Sequence, residues 1–152
     1  LSTSTAFIAR AKAAESATVL LGPFTSAGRF DGCLERAGMQ CVSIGDGAVR
    51  CELIVNEELS NNYGTLHGGA ISTIVDVVGT MALLSIDPSR AGVSIEMNQT
   101  FCNAAKVGER VVMLGSVPKY GRSLGFTEVT IRRGEPSGPD GAVVALGRHT
   151  KM

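Results

Sequence analysis

Between Ala70 and Leu84 only one side chain, Asp76, carries a charge, in a segment whose interior is Ile71, Ile74, Val75, Val77, Val78, Met81, Ala82, Leu83 and Leu84. The apolar positions follow helical spacing over Leu66–Ser85, and a helix that is apolar nearly all round is buried on nearly all sides. Four strand-like runs follow, at 92–102, 109–118, 123–133 and 141–151. Turn signals separate them at Ala104–Gly108, Lys119–Arg122 and Gly134–Asp140. Before the helix, Cys41–Ile44, the turn Gly45-Asp46-Gly47 and the period-two run Val49, Cys51, Leu53, Val55 read as a β-hairpin with one buried face. Strands not separated by helices cannot make a doubly wound parallel sheet. The order predicts an α+β architecture: an antiparallel six-strand sheet curled around one long buried helix.

The remaining chain adds less. Ala6 to Val19 predicts an additional N-terminal helix, ended by Gly22-Pro23. Residues 22–38 read as an irregular connection or a short helix around Cys33-Leu34-Glu35. Residues 1–37 are thus an N-terminal helix and connection, 38–152 the sheet-and-helix unit, and the whole a single globular domain. With 14 basic and 14 acidic residues the chain has no net charge, so no global field draws nucleic acid or an anionic membrane. Aromatic residues are 5% with no Trp, which argues against base-stacking platforms. No apolar run has the roughly 18–20 residues of a membrane span. Cys33, Cys41, Cys51 and Cys102 form no CxxC pair, and two histidines supply a zinc site poorly, so no metal is expected. The cysteines read as free thiols in a reducing compartment, the cytoplasm. An organellar matrix, such as that of the mitochondrion, applies if the acid-free, Ser/Thr/Ala-rich start is the tail of a transit segment.

Asp76 is the residue most in need of explanation, because a carboxylate is almost never buried without a partner. One reading is a helix face that reaches solvent. The preferred one is a carboxylate in an apolar cleft, available as general base or nucleophile. A lone desolvated charge also implies that Asp76→Asn leaves stability unchanged or higher. At the start of the same helix, His67-Gly68-Gly69 places unpaired N–H groups where a carbonyl oxygen can approach closely. That is the requirement of an oxyanion hole. His67 serves there either as a capping or packing residue or as a group that orients substrate. Nine positions separate His67 from Asp76, which at roughly 3.6 residues per turn puts them on opposite sides, about 13 Å apart along the axis. They cannot meet at one reacting atom within one chain. Either the site combines two subunits or the pairing is not a site. Asn61 is either an ordinary loop asparagine or one that anchors the loop or positions water, and Ser94 either an edge-strand serine, the commoner case, or one that holds a water beside a carboxylate. No GxSxG, GxGxxG or P-loop is present.

The run Asn61-Asn62-Tyr63-Gly64-Thr65-Leu66-His67-Gly68-Gly69, with Asp76 beyond it, resembles the hotdog-fold acyl-CoA thioesterases. Within them it is most similar to the PaaI type and its eukaryotic branch, the thioesterase superfamily member 2 type. Thr80-Met81-Ala82-Leu83-Leu84, Gly92-Val93-Ser94 and Gly147-Arg148-His149-Thr150-Lys151 extend the resemblance over roughly residues 38–151. It implies the hotdog fold, a homodimer with two interface sites, usually paired into a tetramer, and hydrolysis of acyl-CoA to free acid and coenzyme A without a cofactor. It implies that the Gly68 N–H polarises the thioester carbonyl, with His67 and Asn61 shaping that side. Asp76 of the other chain would then activate water or attack directly, and Ser94 would help place the water. It implies coenzyme A contacts along Phe101-Cys102-Asn103-Ala104-Ala105-Lys106, along Lys119-Tyr120-Gly121-Arg122-Ser123-Leu124, and at His149. Cations at Lys106, Lys119 and Arg122 suit the phosphates of that ligand. The turn Gly134–Gly141 and the long N-terminal part depart from the family pattern. Two other activities remain open on such a chain: a hydroxyacyl-thioester dehydratase, and a non-catalytic acyl-CoA-binding protein.

Overall fold

The computed structural model describes residues 30–134 and 141–152. The helix expected at Ala6–Val19 and most of the turn Gly134–Gly141 lie outside the described residues. A single turn of helix, α1 (Cys33–Arg36), precedes strand β1 (Gln40–Gly45). The strand β2 (Ala48–Ile54) returns alongside it. The two residues between them, Asp46 (φ 50°) and Gly47 (φ 76°), both have positive φ. That is the two-residue hairpin turn whose twist matches paired strands, and it suits an Asp-Gly pair. A 3-10 turn, Glu57–Leu59, and a loop lead into the long helix α2 (Gly68–Leu84). The strands β3 (Ser94–Phe101), β4 (Arg110–Tyr120), β5 (Gly125–Arg133) and β6 (Val143–Lys151) follow.

All six strands form one antiparallel sheet in the order β1-β2-β4-β5-β6-β3. The α+β sheet wrapped on one helix is therefore as expected, and strand boundaries differ from the predicted runs by a few residues. The helix begins two residues later than the apolar pattern suggested. Leu66 and His67 give their N–H groups to Ala105 and Leu59 carbonyls, which holds them outside the helix.

Glycine is what lets α2 lie close on the sheet. A Cβ at Gly115 would stand 2.9 Å from a Val78 methyl group, and one at Gly125 would stand 2.6 Å from a Leu83 methyl group. Gly147 faces Val75 still more closely. Ile74, Val75, Val78, Met81, Val111, Met113, Val129, Ile131 and Val144 are buried where helix and sheet meet. The outermost strand on one side, β3, differs from the others. Seven of its eight positions are exposed, including Ile95, Met97 and Phe101.

Candidate active site

His67 is the N-cap of α2. Its Nδ1 accepts the Gly69 N–H at 2.8 Å, which leaves Nε2 as the ring donor and turns the imidazole outward. The neighbouring Gly68 N–H has no acceptor among the described residues. Asn61 ties down the loop before it. Its Oδ1 accepts the Tyr63 N–H at 2.9 Å and the Thr65 N–H at 3.3 Å, and its amide donates to Thr65 Oγ1 at 2.9 Å. Gly68 opens onto a cleft of about 380 Å³ lined by Asn61, Leu66, Ile71 and the segment Phe101–Ala104. The Phe101 ring covers one flank, 3.6 Å from where a Cβ on Gly68 would sit. The structure thus brings Asn61, Gly68, Phe101, Cys102, Asn103 and Ala104 together. The side chain of Lys106 is exposed nearby. Ala105 is the exception in that segment. It is 1% exposed, because its carbonyl pins Leu66 from beneath.

Asp76 belongs to a second cluster. Its carboxylate is 41% exposed, with Lys151 Nζ and His149 Nδ1 each 3.5 Å from Oδ1. Lys151 also donates to Thr80 Oγ1 at 2.6 Å, and Thr80 Oγ1 donates to the Asp76 carbonyl at 2.7 Å. On its other side His149 Nε2 lies 2.9 Å from Ser94 Oγ. This corrects the expected apolar cleft. The helix carries Asp76 toward the end of β6, where two basic side chains and a hydroxyl surround it.

His149 is a second correction. Expected as a coenzyme A contact, it is 1% exposed and inserted between Ser94 and Asp76, because β6 alternation turns it toward α2 with Gly147 and Lys151. Burial, outweighing the attraction of Asp76, holds its pKa below the ordinary imidazole value. A neutral ring with Nδ1–H toward Asp76 can accept the Ser94 hydroxyl proton at Nε2. Lys151 and Thr80 were not foreseen, since an inward ammonium contradicts the ordinary rule for lysine. For Lys151 the signal was parity, since in β6 residue 151 shares the face of residues 147 and 149; for Thr80 it was helical spacing, one turn beyond Asp76 on α2.

The turn from Lys119 to Leu124 lies at this same end of the sheet, where Gly125 pairs with Lys151. Lys119, Arg122 and Ser123 are exposed. Arg90, also unforeseen, joins them. Its guanidinium carbon is 4.9 Å from the Tyr120 ring centre and it donates to the Gly121 carbonyl at 3.1 Å. Tyr120 in turn donates to Asp87 at 3.0 Å; the Ser89 hydroxyl and N–H, and then this phenol, keep the Asp87 carboxyl below its ordinary range.

The predicted residues therefore fall into two groups on one chain. Asn61, His67, Gly68 and Phe101–Ala104 form one; Asp76, Ser94, His149 and the Lys119–Leu124 turn form the other. Residues 63–139, which span parts of both groups, match the model of the thioesterase superfamily. The chain is 39% identical to human acyl-coenzyme A thioesterase 13, over 90% of this chain and 94% of that protein. Its fold matches thioesterase superfamily member 2 of zebra fish with a TM-score of 0.79 and 36% identity, covering 88% and 92% of the two chains. A hypothetical thioesterase of Streptococcus pneumoniae, solved with coenzyme A, shares the fold at a TM-score of 0.73 and 23% identity, covering 86% and 93%. Sequence kinship at this level, on a sheet and helix of the same arrangement, makes this chain a member of the thioesterase superfamily with the hotdog fold.

Proposed function

We propose that the protein hydrolyses acyl-CoA thioesters, with water as the nucleophile's source, at sites each built from two subunits. The observation that carries this reading is the division just described. A free helix-start N–H opens on one cleft, whereas the only carboxylate of α2, Asp76, stands in another cluster of the same chain. Opposed across a two-fold axis, the two halves complement each other. The exposed strand β3 supports such a pairing, since its outer edge is unpaired among the described residues and the strand displays Ile95 and Phe101 at 54% and 57% exposure. Further pairing of dimers into a tetramer belongs to the same proposal.

In this arrangement the thioester carbonyl oxygen accepts the Gly68 N–H, backed by the start of α2, and gains charge there as the carbonyl carbon is attacked. Asn61 keeps the loop rigid, and His67, committed at Nδ1 to Gly69, presents Nε2–H at the rim. The partner subunit's Asp76 takes the proton from water or attacks directly. Lys151 fixes the orientation of that carboxylate, and Ser94, held by His149, positions the water. The thiolate of coenzyme A leaves toward solvent. Phe101–Ala104 and Lys106 border the cleft, and exposed Lys119 and Arg122, with half-buried Arg90 beside them, form a basic group suited to the ligand's phosphates.

The dehydratase reading needs a histidine and a carboxylate at adjacent substrate carbons. His67 is engaged in capping and His149 is buried behind Ser94, which favours water delivery instead. Release of free thiol from palmitoyl-CoA, short-chain acyl-CoA and phenylacetyl-CoA tests hydrolysis, and hydration of crotonyl-CoA tests the alternative. Binding without release of thiol or hydration identifies a non-catalytic acyl-CoA-binding protein and overturns the proposal.

A further inference from the structure

Cys41 on β1 and Cys51 on β2 stand directly opposite each other in the strand register. Opposed residues of an antiparallel pair place their side chains on the same face with Cα atoms about 4.5–5.5 Å apart, inside the roughly 4.4–6.8 Å span of a disulfide. The pairing slips between Cys41 and Ser43, so a bulge adjoins Cys41 and gives its backbone room to adjust. The two thiols are unequal. Cys41, on the outermost strand, is partly exposed, whereas Cys51 is fully buried beneath the hairpin. The neighbouring Cys51 thiol draws the Cys41 pKa down against the opposing effect of burial. The same contact and its own burial push the Cys51 thiol up. An accessible, thiolate-prone cysteine beside a sheltered thiol is the arrangement of an attacking and a resolving cysteine.

We propose that Cys41 and Cys51 are a peroxide-oxidised pair that closes a reversible cross-strand disulfide. The Cys41 thiolate attacks one oxygen of a hydroperoxide; the O–O bond breaks, and the departing oxygen leaves as an alcohol, or as water from hydrogen peroxide, after taking up a proton. Cys41 becomes a sulfenic acid. Cys51 then attacks the Cys41 sulfur, the S–O bond breaks, and the hydroxyl departs as water with the Cys51 proton. Two thiols are oxidised and one hydroperoxide is reduced, giving one disulfide, one alcohol or water, and one further water. The hairpin already closes this loop through Asp46-Gly47, so the bond constrains little additional chain and remains open to reduction. The pair lies on the edge of the sheet opposite β3, so the inference does not rest on the thioesterase reading.

The test is oxidation of the full-length, reduced protein with hydrogen peroxide, followed by alkylation, intact mass and peptide mapping under non-reducing conditions. The expected result is a mass loss of about 2 Da, a single cross-linked species joining the peptides of Cys41 and Cys51, and full reversal by dithiothreitol. Cys51→Ser should stop at Cys41 with a dimedone-reactive gain of about 16 Da, and Cys41→Ser should leave Cys51 unmodified. The double variant Cys33→Ser/Cys102→Ser should still form the cross-link. Oxidation confined to Cys33 or Cys102, or cross-links between chains with Cys41 and Cys51 still alkylatable, overturns the proposal. Thermal unfolding of each variant before treatment keeps a misfolded protein from being read as an answer.

Discussion

Lys151 changes what loss of the Asp76 charge does. Its side chain is 8% exposed, and the ammonium holds one carboxylate oxygen and the Thr80 hydroxyl. Asp76→Asn leaves that ammonium inside the protein without a counter-ion, which is the costly way to break a semi-buried pair. The expected outcome is therefore two-fold. Thioesterase turnover falls by at least about 10²–10⁴, the range for a positioned acid–base group. The melting temperature also falls, the opposite of what a lone desolvated carboxylate implies. Lys151→Met, tested separately, removes the ammonium that holds this carboxylate in place, so kcat and kcat/KM should fall together with KM unchanged, while loss of packing alone would lower the melting temperature and leave the kcat of the folded fraction unmoved. His149 supplies a stability prediction at the same scale. Burial lowers its pKa below 6.5 in the folded state, so between its folded value and about 6.5 the unfolded chain binds more protons than the native one. Stability is then lost as pH falls below about 6.5. Urea midpoints measured down to about pH 5 should decline less steeply in His149→Gln than in the native protein.

The strands were legible because polar and apolar residues alternate, and α2 because its apolar residues recur at helical spacing. The register of the helix on the sheet was not, since it depends on where glycines let backbone meet backbone. Gly147 is the tightest such point. A Cβ there would stand 2.7 Å from Cγ1 of Val75, with Cγ2 nearer still. Val75 is buried and flanked by the sheet, so it has no space to yield. Gly147→Ala should destabilise the protein by about 1–3 kcal/mol, the usual cost of overpacking, read as a lower urea midpoint with an unchanged slope. The candidate site was legible to the same degree. Its glycine, asparagine and aspartate stand out in sequence because they interrupt patterns. His149 and Lys151 sit on a strand whose alternation shows their shared face, yet nothing local shows that this face ends beside Asp76. That juxtaposition comes from α2 packing across β6, where Val75 meets Gly147, a contact between segments far apart in sequence.

At the scale of the molecule the separation of Gly68 from the Asp76 cluster becomes a stoichiometric prediction. If each site takes its N–H donor from one chain and its carboxylate from the other, two inactive proteins should rescue each other. Asp76→Asn disables one half. Gly68→Pro disables the other by removing the donor itself. Proline is tolerated at the first position of a helix, and His67 already has φ −67° and ψ 140°, the extended conformation favoured before proline. Circular dichroism of this variant establishes that α2 still forms. Mixed in equal amounts and allowed to exchange, the two should give mixed dimers in about half of the molecules by random pairing. In each mixed dimer one interface holds both defects and the other holds neither. About a quarter of the native activity should therefore return, from two preparations that have almost none alone. A site contained within one chain predicts that no exchange restores anything, because every chain would carry a defect in its own site. Exchange shown by mass-tagged subunits, with activity still absent, would refute the shared site and leave the exposed face of β3 in need of another partner.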